Sequence, residues 1–291
     1  MHLSKTALKF AATCAILSLA TSASQASTVT AGISYDPLGL AQTDGLVPAG
    51  ATLTDTAVAA VATYDLLPAG VNYGPYMRLS AASGNGSMDA STRLAAGGIA
   101  QATALWNDTI VNDSGASQSY QMNIALTGIG FGLGGWTGNI NTRDFRAGYV
   151  ANVLVNGVSV WNSSQTFSQT GSAINIAKSG FDIGDGVTTD NGSTNPYFSY
   201  SLNDYAGAID LGTFGNGQSF NVSYSLSSSA YWNDPAGCAY ECGRVEARIS
   251  DPFGSSGASV VAAPVPEPEI YAMMLVGLGL IGAISRRRKQ S

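Results

Sequence analysis

Several segments alternate apolar and polar residues with a strict period of two, and this pattern restricts the possible folds more than any other feature. Tyr120, Met122, Ile124 and Leu126 alternate with Gln121, Asn123 and Ala125. Phe220, Val222, Tyr224 and Leu226 alternate with Asn221, Ser223 and Ser225, and Val245, Ala247 and Ile249 with Arg244, Glu246 and Arg248. Successive side chains of an extended strand point to opposite faces, so each segment has one apolar and one wet face. Wound as a helix, the same residues would be spread around the circumference. Asn156-Gly157 stands between two β-branched runs, and this pair tolerates the positive φ that a two-residue hairpin turn requires. Further strands are predicted over 100–106, 145–155, 197–202 and 209–214, divided by turn-rich gaps such as 182–195. The expected fold is all-β, an antiparallel β-sandwich of jelly-roll type. Within the alanine-rich part, 28–96, the stretch 57–62 fits a short helix or a strand. The glycine cluster 131–139 leads into no helix, so it reads as a turn or bulge and not as a phosphate loop.

The two ends of the chain have a different character. Lys5 and Lys9 precede an apolar run over 10–20, and Ser24-Gln25-Ala26 supplies small residues where a signal peptidase reads. Residues 1–26 are therefore predicted to be a signal peptide, cleaved between Ala26 and Ser27. Near the other end, 270–284 carries no charge and is followed at once by Arg286, Arg287, Arg288 and Lys289. As a helix this run spans roughly 22 Å, short of a hydrocarbon core near 30 Å. A basic cluster directly behind an apolar run marks the cytoplasmic end of a transmembrane helix.

Val265-Pro266-Glu267-Pro268, the apolar run with Gly277, Gly279 and Gly282, and the arginine stop stand in one order. Together they resemble the PEP-CTERM sorting signal of Gram-negative bacteria. The resemblance implies recognition by an exosortase, which cuts near the Pro-Glu-Pro of a substrate held in the inner membrane and facing the periplasm. The product is then passed to the cell surface or extracellular matrix, and such proteins accompany exopolysaccharide and biofilm. Pro266 and Pro268 fix φ and favour the extended backbone that a protease cleft needs.

Three parts follow: a signal peptide over 1–26, a β-sandwich ectodomain over 27–263, and a sorting segment over 264–291. The ectodomain keeps 17 of the 19 acids, losing Glu267 and Glu269, but only 7 of the 13 bases, losing Lys5, Lys9 and the tail. A net charge near −10 disfavours nucleic acid. The one histidine is His2, inside the leader, so the mature chain has no imidazole for Ser-His-Asp or Cys-His catalysis or for a His-ligated zinc. Cys238 and Cys242, in an exported chain, are expected to form a disulfide. Asp182, Asp185 and Asp190 make an oxygen-rich loop, read as a solvated turn with calcium as the alternative. Glu241 and Glu246 are the only glutamates of the ectodomain, and Glu246 lies between Arg244 and Arg248 on the polar face of its strand, where cross-strand ion pairing accounts for it. Aromatic rings bury large areas and can stack on sugars. Trp106 and Trp161 end apolar strands and are expected in the core; Trp136 and Trp232 are the expected glycan contacts.

The expected function is non-enzymatic. The chain reads as an exported surface or matrix protein, sorted by an exosortase and associated with extracellular polysaccharide, with no resident cofactor or metal. The alternatives are a secreted carbohydrate-active enzyme working through carboxylates and a calcium-dependent adhesin.

Overall fold

The computed structural model describes residues 28–36, 52–57, 59–66, 77–84, 87–95, 97–135, 144–170, 173–190, 197–233, 243–252, 260–263 and 278. Expectations for the leader and the Ala26–Ser27 cleavage, for Trp136, Cys238, Glu241 and Cys242, for Val265–Pro268 and for Arg286–Lys289 lie outside these residues. The first strands are β1 (Thr28–Asp36), β2 (Thr52–Ala57), β3 (Ala59–Leu66), β4 (Met77–Gly84) and β5 (Ser87–Leu94). Next come β6 (Gly98–Val111), β7 (Gln118–Gly135), β8 (Asp144–Val155), β9 (Val158–Thr170), β10 (Ala173–Gly180) and β11 (Gly186–Asp190). The remainder are β12 (Tyr197–Leu202), β13 (Tyr205–Phe214), β14 (Ser219–Asn233), β15 (Gly243–Asp251) and β16 (Val260–Ala262).

All pairings are antiparallel and build two sheets. One runs β10-β9-β8-β14-β6-β1-β2, the other β11-β12-β7-β15-β5-β4-β3, with β13 and β16 added along the first half of β7. These sheets hold more strands than the eight of a jelly roll. The late strands β14 and β15 each enter the middle of a sheet, β14 between β6 and β8 and β15 between β5 and β7.

The period-two segments turn their apolar faces inward as expected. Met122, Ile124 and Leu126, then Phe220, Val222, Tyr224 and Leu226, then Val245, Ala247 and Ile249 are all buried in one core. The inner face of β6 carries Ala100, Ala102, Ala104 and then Trp106, all fully buried. An aromatic layer bridges the sheets: Phe131 of β7 stacks with Tyr149 of β8 at 6.1 Å, and Phe167 of β9 with Tyr200 of β12 at 5.6 Å. Asn156 and Gly157 take φ of 51° and 80°, the left-handed pair predicted for the β8–β9 hairpin.

One polar tie crosses the core. The Tyr224 hydroxyl donates to Asp251 Oδ2 at 3.0 Å, and the Ala125 amide donates to the same oxygen at 3.0 Å. Both side chains are fully buried. Asp251 thus joins β14 of one sheet to β15 and β7 of the other. Burial and the neighbouring Asp251 push the Tyr224 phenol well above its ordinary value.

The structure amends the sequence reading in three places. Residues 59–62, left between helix and strand, belong to β3. The gap after Asp182 contains β11, paired with β12 from Gly186↔Leu202 to Asp190↔Phe198. Phe131 to Gly135, the first part of the cluster read as turn or bulge, continue β7. There the apolar period persists through Ile129, Phe131 and Leu133, with glycine in place of the polar residues.

At its far end, β16 pairs with β7 in the register Val260↔Met122 to Ala262↔Tyr120. The Ala263 amide donates to Ser119 O at 2.8 Å, and Gln118 Nε2 donates to Ala263 O at 2.9 Å. The folded body is therefore bonded up to residue 263.

Candidate functional site

Two surface features bring chemistry-bearing side chains together. The first is a trough on the outer face of β7. Gly132 stands between Ser199 of β12 and Glu246 of β15, and Gly130 between Ser201 and Arg248. Neighbouring strands lie about 4.8 Å apart, so a bare glycine strand opens a slot about 10 Å wide between its two neighbours. The slot forms a groove of about 420 Å³ lined by Ser199, Ser201, Glu246, Arg248, Ser91 and Arg93. Arg248 is exposed and lies over Gly130, its Nε in van der Waals reach of where a Cβ would stand. Glu246 is opposite Arg93 in register and forms an ion pair with Arg244 along its own strand, Nε to Oε2 at 3.4 Å. Ion pairing therefore accounts for Glu246, here along its own strand where the sequence suggested a partner across the sheet. Asp89 shares this face; burial pushes its carboxyl up, and Arg248 pulls it back in part.

The second feature is an aromatic platform drawn from three separate segments. Trp161 of β9, Phe181 just after β10 and Tyr205 at the start of β13 meet at the open side of the sandwich. Trp161 and Tyr205 are nearly parallel, 14° apart with centroids at 6.5 Å, and Phe181 lies 5.9 Å from Trp161 and 5.5 Å from Tyr205. Phe181 is 47% exposed, and the other two rings are half-buried.

Local sequence builds this cluster. The β8–β9 register shifts between Val153 and Leu154, whose partners are Trp161 and Ser159, so Val160 is the extra residue of a bulge next to Trp161. Bulges redirect the side chains beside them. At the end of β10, Gly180 has φ of 75° and lies so close to Asn162 that a Cβ would collide with it. The turn carries Phe181 across β9, where its amide donates to Asn162 O at 2.7 Å. On β13 the Tyr205 ring lies back over Gly207, where a Cβ would strike the ring and its hydroxyl.

The acid loop beside Phe181 already holds a cation of its own. Lys178 Nζ donates to Asp182 Oδ1 at 2.9 Å, to Asp185 Oδ1 at 2.6 Å and to Gly184 O at 2.9 Å. Hydrogen bonds from Lys178 and then from the Gly184 amide hold the Asp182 carboxyl below its usual range. Lys178 itself is held above its usual range by Asp185 and Asp182. Among the described residues, no three His, Cys, Asp or Glu side chains gather as a metal site would require. Asp190, the third acid, ends β11, paired with Phe198.

The tryptophans redistribute. Trp106 is fully buried, as expected. Trp232, an expected glycan contact, is also fully buried, its ring 5.4 Å from Phe145. Its place in β14 sets it opposite Phe145 of β8 and Gly98 of β6, in the middle of a sheet and on the inner face. Trp161, expected in the core, packs against it but is only partly buried. Sequence reasoning missed Phe181 and Tyr205 as site residues; the signals were a glycine directly before the one and two positions after the other.

The PEP-CTERM protein-sorting motif matches residues 264–289, under a tenth of the chain. Its first residue follows directly on Ala263, the last residue bonded to β7. No curated protein matches the chain. The motif marks the chain as an exported protein, anchored in the membrane before sorting and processed by an exosortase.

Proposed function

We propose that this is a non-enzymatic matrix protein, presented to the periplasm, released by its exosortase and retained outside the cell by extracellular polysaccharide. The observation that carries this reading is the junction at residue 263. The sandwich is bonded to its last residue and the sorting motif begins at the next, so the sandwich is the cargo that the motif delivers. Its polar and aromatic surface features suit a ligand of many weak contacts.

A carboxylate-dependent hydrolase finds less support. Hydrolysis of a glycoside needs two carboxyls roughly 5–10 Å apart. On the grooved face Asp89 is level with Ser250, four residues along β15 from Glu246. At about 3.4 Å per residue that is a separation of about 14 Å along the strands. Calcium-dependent adhesion is disfavoured because Lys178 already occupies the space between Asp182 and Asp185 and is hydrogen-bonded to both.

The test is a pull-down of the exported protein, purified from the native host, with that host's exopolysaccharide. Retention by the polysaccharide supports the reading. Recovery of all the protein in the unbound fraction would overturn it.

A further inference from the structure

We propose that Trp161, Phe181 and Tyr205 form a stacking platform for an uncharged pyranose chain; this inference rests on the matrix reading above and names its binding site. Three observations point to a ligand. First, Phe181 keeps 47% of its surface in water although it packs on Trp161 and Tyr205, two half-buried rings seated against the core, so an aromatic surface stays open. Second, the arrangement is built: a bulge at Val160, a left-handed Gly180 that a Cβ would not fit, and a Tyr205 ring laid over Gly207 hold the rings in place. Third, the rim suits sugar hydroxyls. Asp182, whose carboxyl faces Lys178, follows Phe181 directly, and Asp204 precedes Tyr205 and accepts from the Gly128 amide at 3.3 Å.

A pyranose presents an apolar face of C–H groups and an edge of hydroxyls. The face suits an aromatic ring, which buries much area at small entropy cost; the edge suits the carboxyl acceptors of the rim. The charge around the platform selects within this class. Asp182, Asp185 and Asp204 outnumber Lys178, and the whole ectodomain is near −10, so a uronate-bearing chain is repelled where an uncharged one is not.

The test uses exported protein and the native host's matrix polysaccharide, separated by ion exchange into uncharged and acidic fractions. Mobility in affinity gels containing each fraction gives the dissociation constant. Phe181→Ala removes a ring that is half in water, and a melting curve checks that the variant remains folded. The expected result is retardation of the parent protein by the uncharged fraction and at least about tenfold weaker binding for Phe181→Ala. Tryptophan emission gives a readout independent of that variant. The uncharged fraction should shift the parent's emission, and Trp161→Phe, which keeps a ring, should abolish the shift while retaining binding. Binding to the uncharged fraction that Phe181→Ala leaves unchanged, with no emission shift from Trp161, would overturn the platform and leave the matrix reading standing. Stronger retardation by the acidic fraction would also overturn it, and would point to the arginine-lined trough on β7. Retardation by neither fraction would sink both the platform and the matrix reading.

Discussion

Replacing Asp251 with alanine removes the acceptor that joins the two sheets at their centre. The Tyr224 hydroxyl and the Ala125 amide both donate to Asp251 Oδ2 at 3.0 Å, so Asp251→Ala strands two donors at once. An unsatisfied buried donor costs about 1–3 kcal/mol. Two of them give a loss near 4 kcal/mol, or roughly 8–16 °C in melting temperature for a domain of this size. Tyr224→Phe removes one donor and leaves Asp251 with the Ala125 amide, so its cost is smaller, about 1–3 kcal/mol. In the double variant, no phenol remains to be stranded. Its loss should therefore fall short of the sum of the single losses by about 1–3 kcal/mol. Thermal and urea unfolding of the three variants and the parent would measure the cycle. A loss below about 1 kcal/mol for Asp251→Ala, or strict additivity, would refute the inference that this carboxyl ties the sheets.

Three other predictions concern separate parts of the molecule. Burial raises the Asp108 carboxyl, in spite of a 2.8 Å hydrogen bond from the Thr109 amide. The folded state therefore holds this proton more tightly than the unfolded chain, and the stability linked to Asp108 is lost as pH rises from the unfolded value of 3.8 through the folded one. Asp108→Asn should then melt higher than the parent at pH 7 and lose that advantage below about pH 3.8; an equal gain at both pH values would contradict the assignment. Tyr149 is pushed up to about 12, first by burial, so its stability is present below pH 10 and is lost as pH rises toward 12. Tyr149→Phe should show a shallower alkaline loss in a pH series of melts, and an unchanged slope would disprove the linkage. Gly180→Ala meets Asn162 and a φ of 75°, so it should destabilise the β9–β10 edge by about 1–3 kcal/mol and displace Phe181; near-neutral behaviour in unfolding would show that the turn relaxes freely.

Sequence alone made the strands legible wherever one face was apolar and the other polar. Tyr120 to Leu126 and Phe220 to Leu226 report their own orientation, because period two is a local property. The turn at Asn156-Gly157 was equally local. The second half of β7 was not readable, because glycine there replaces the polar half of the alternation and carries a low intrinsic strand preference. Its strand state comes from β12 and β15 on either side, sequence-distant partners. The tryptophans failed for a related reason. Trp232 lies in β14, in the middle of its sheet, whereas Trp161 lies in the exposed first part of β9, near the edge of the same sheet. The central place of Trp232 follows from pairings of β14 with β6 and β8, more than fifty residues away, and no local pattern records them. The platform is non-local in the same way, since residues 161, 181 and 205 meet only after three strands have been placed. The sorting motif, by contrast, is read as a linear string by its enzyme, and it was legible in full.

The account stands or falls on where the protein resides in its own host. Its amount in the polysaccharide matrix should be measured in cells with and without the exosortase, with the intact mass taken in each fraction. The account predicts matrix-bound protein lacking the segment beyond about Pro268 in the first strain, and full-length protein held in the membrane fraction in the second. Matrix-bound protein that keeps the segment, in both strains alike, would contradict it.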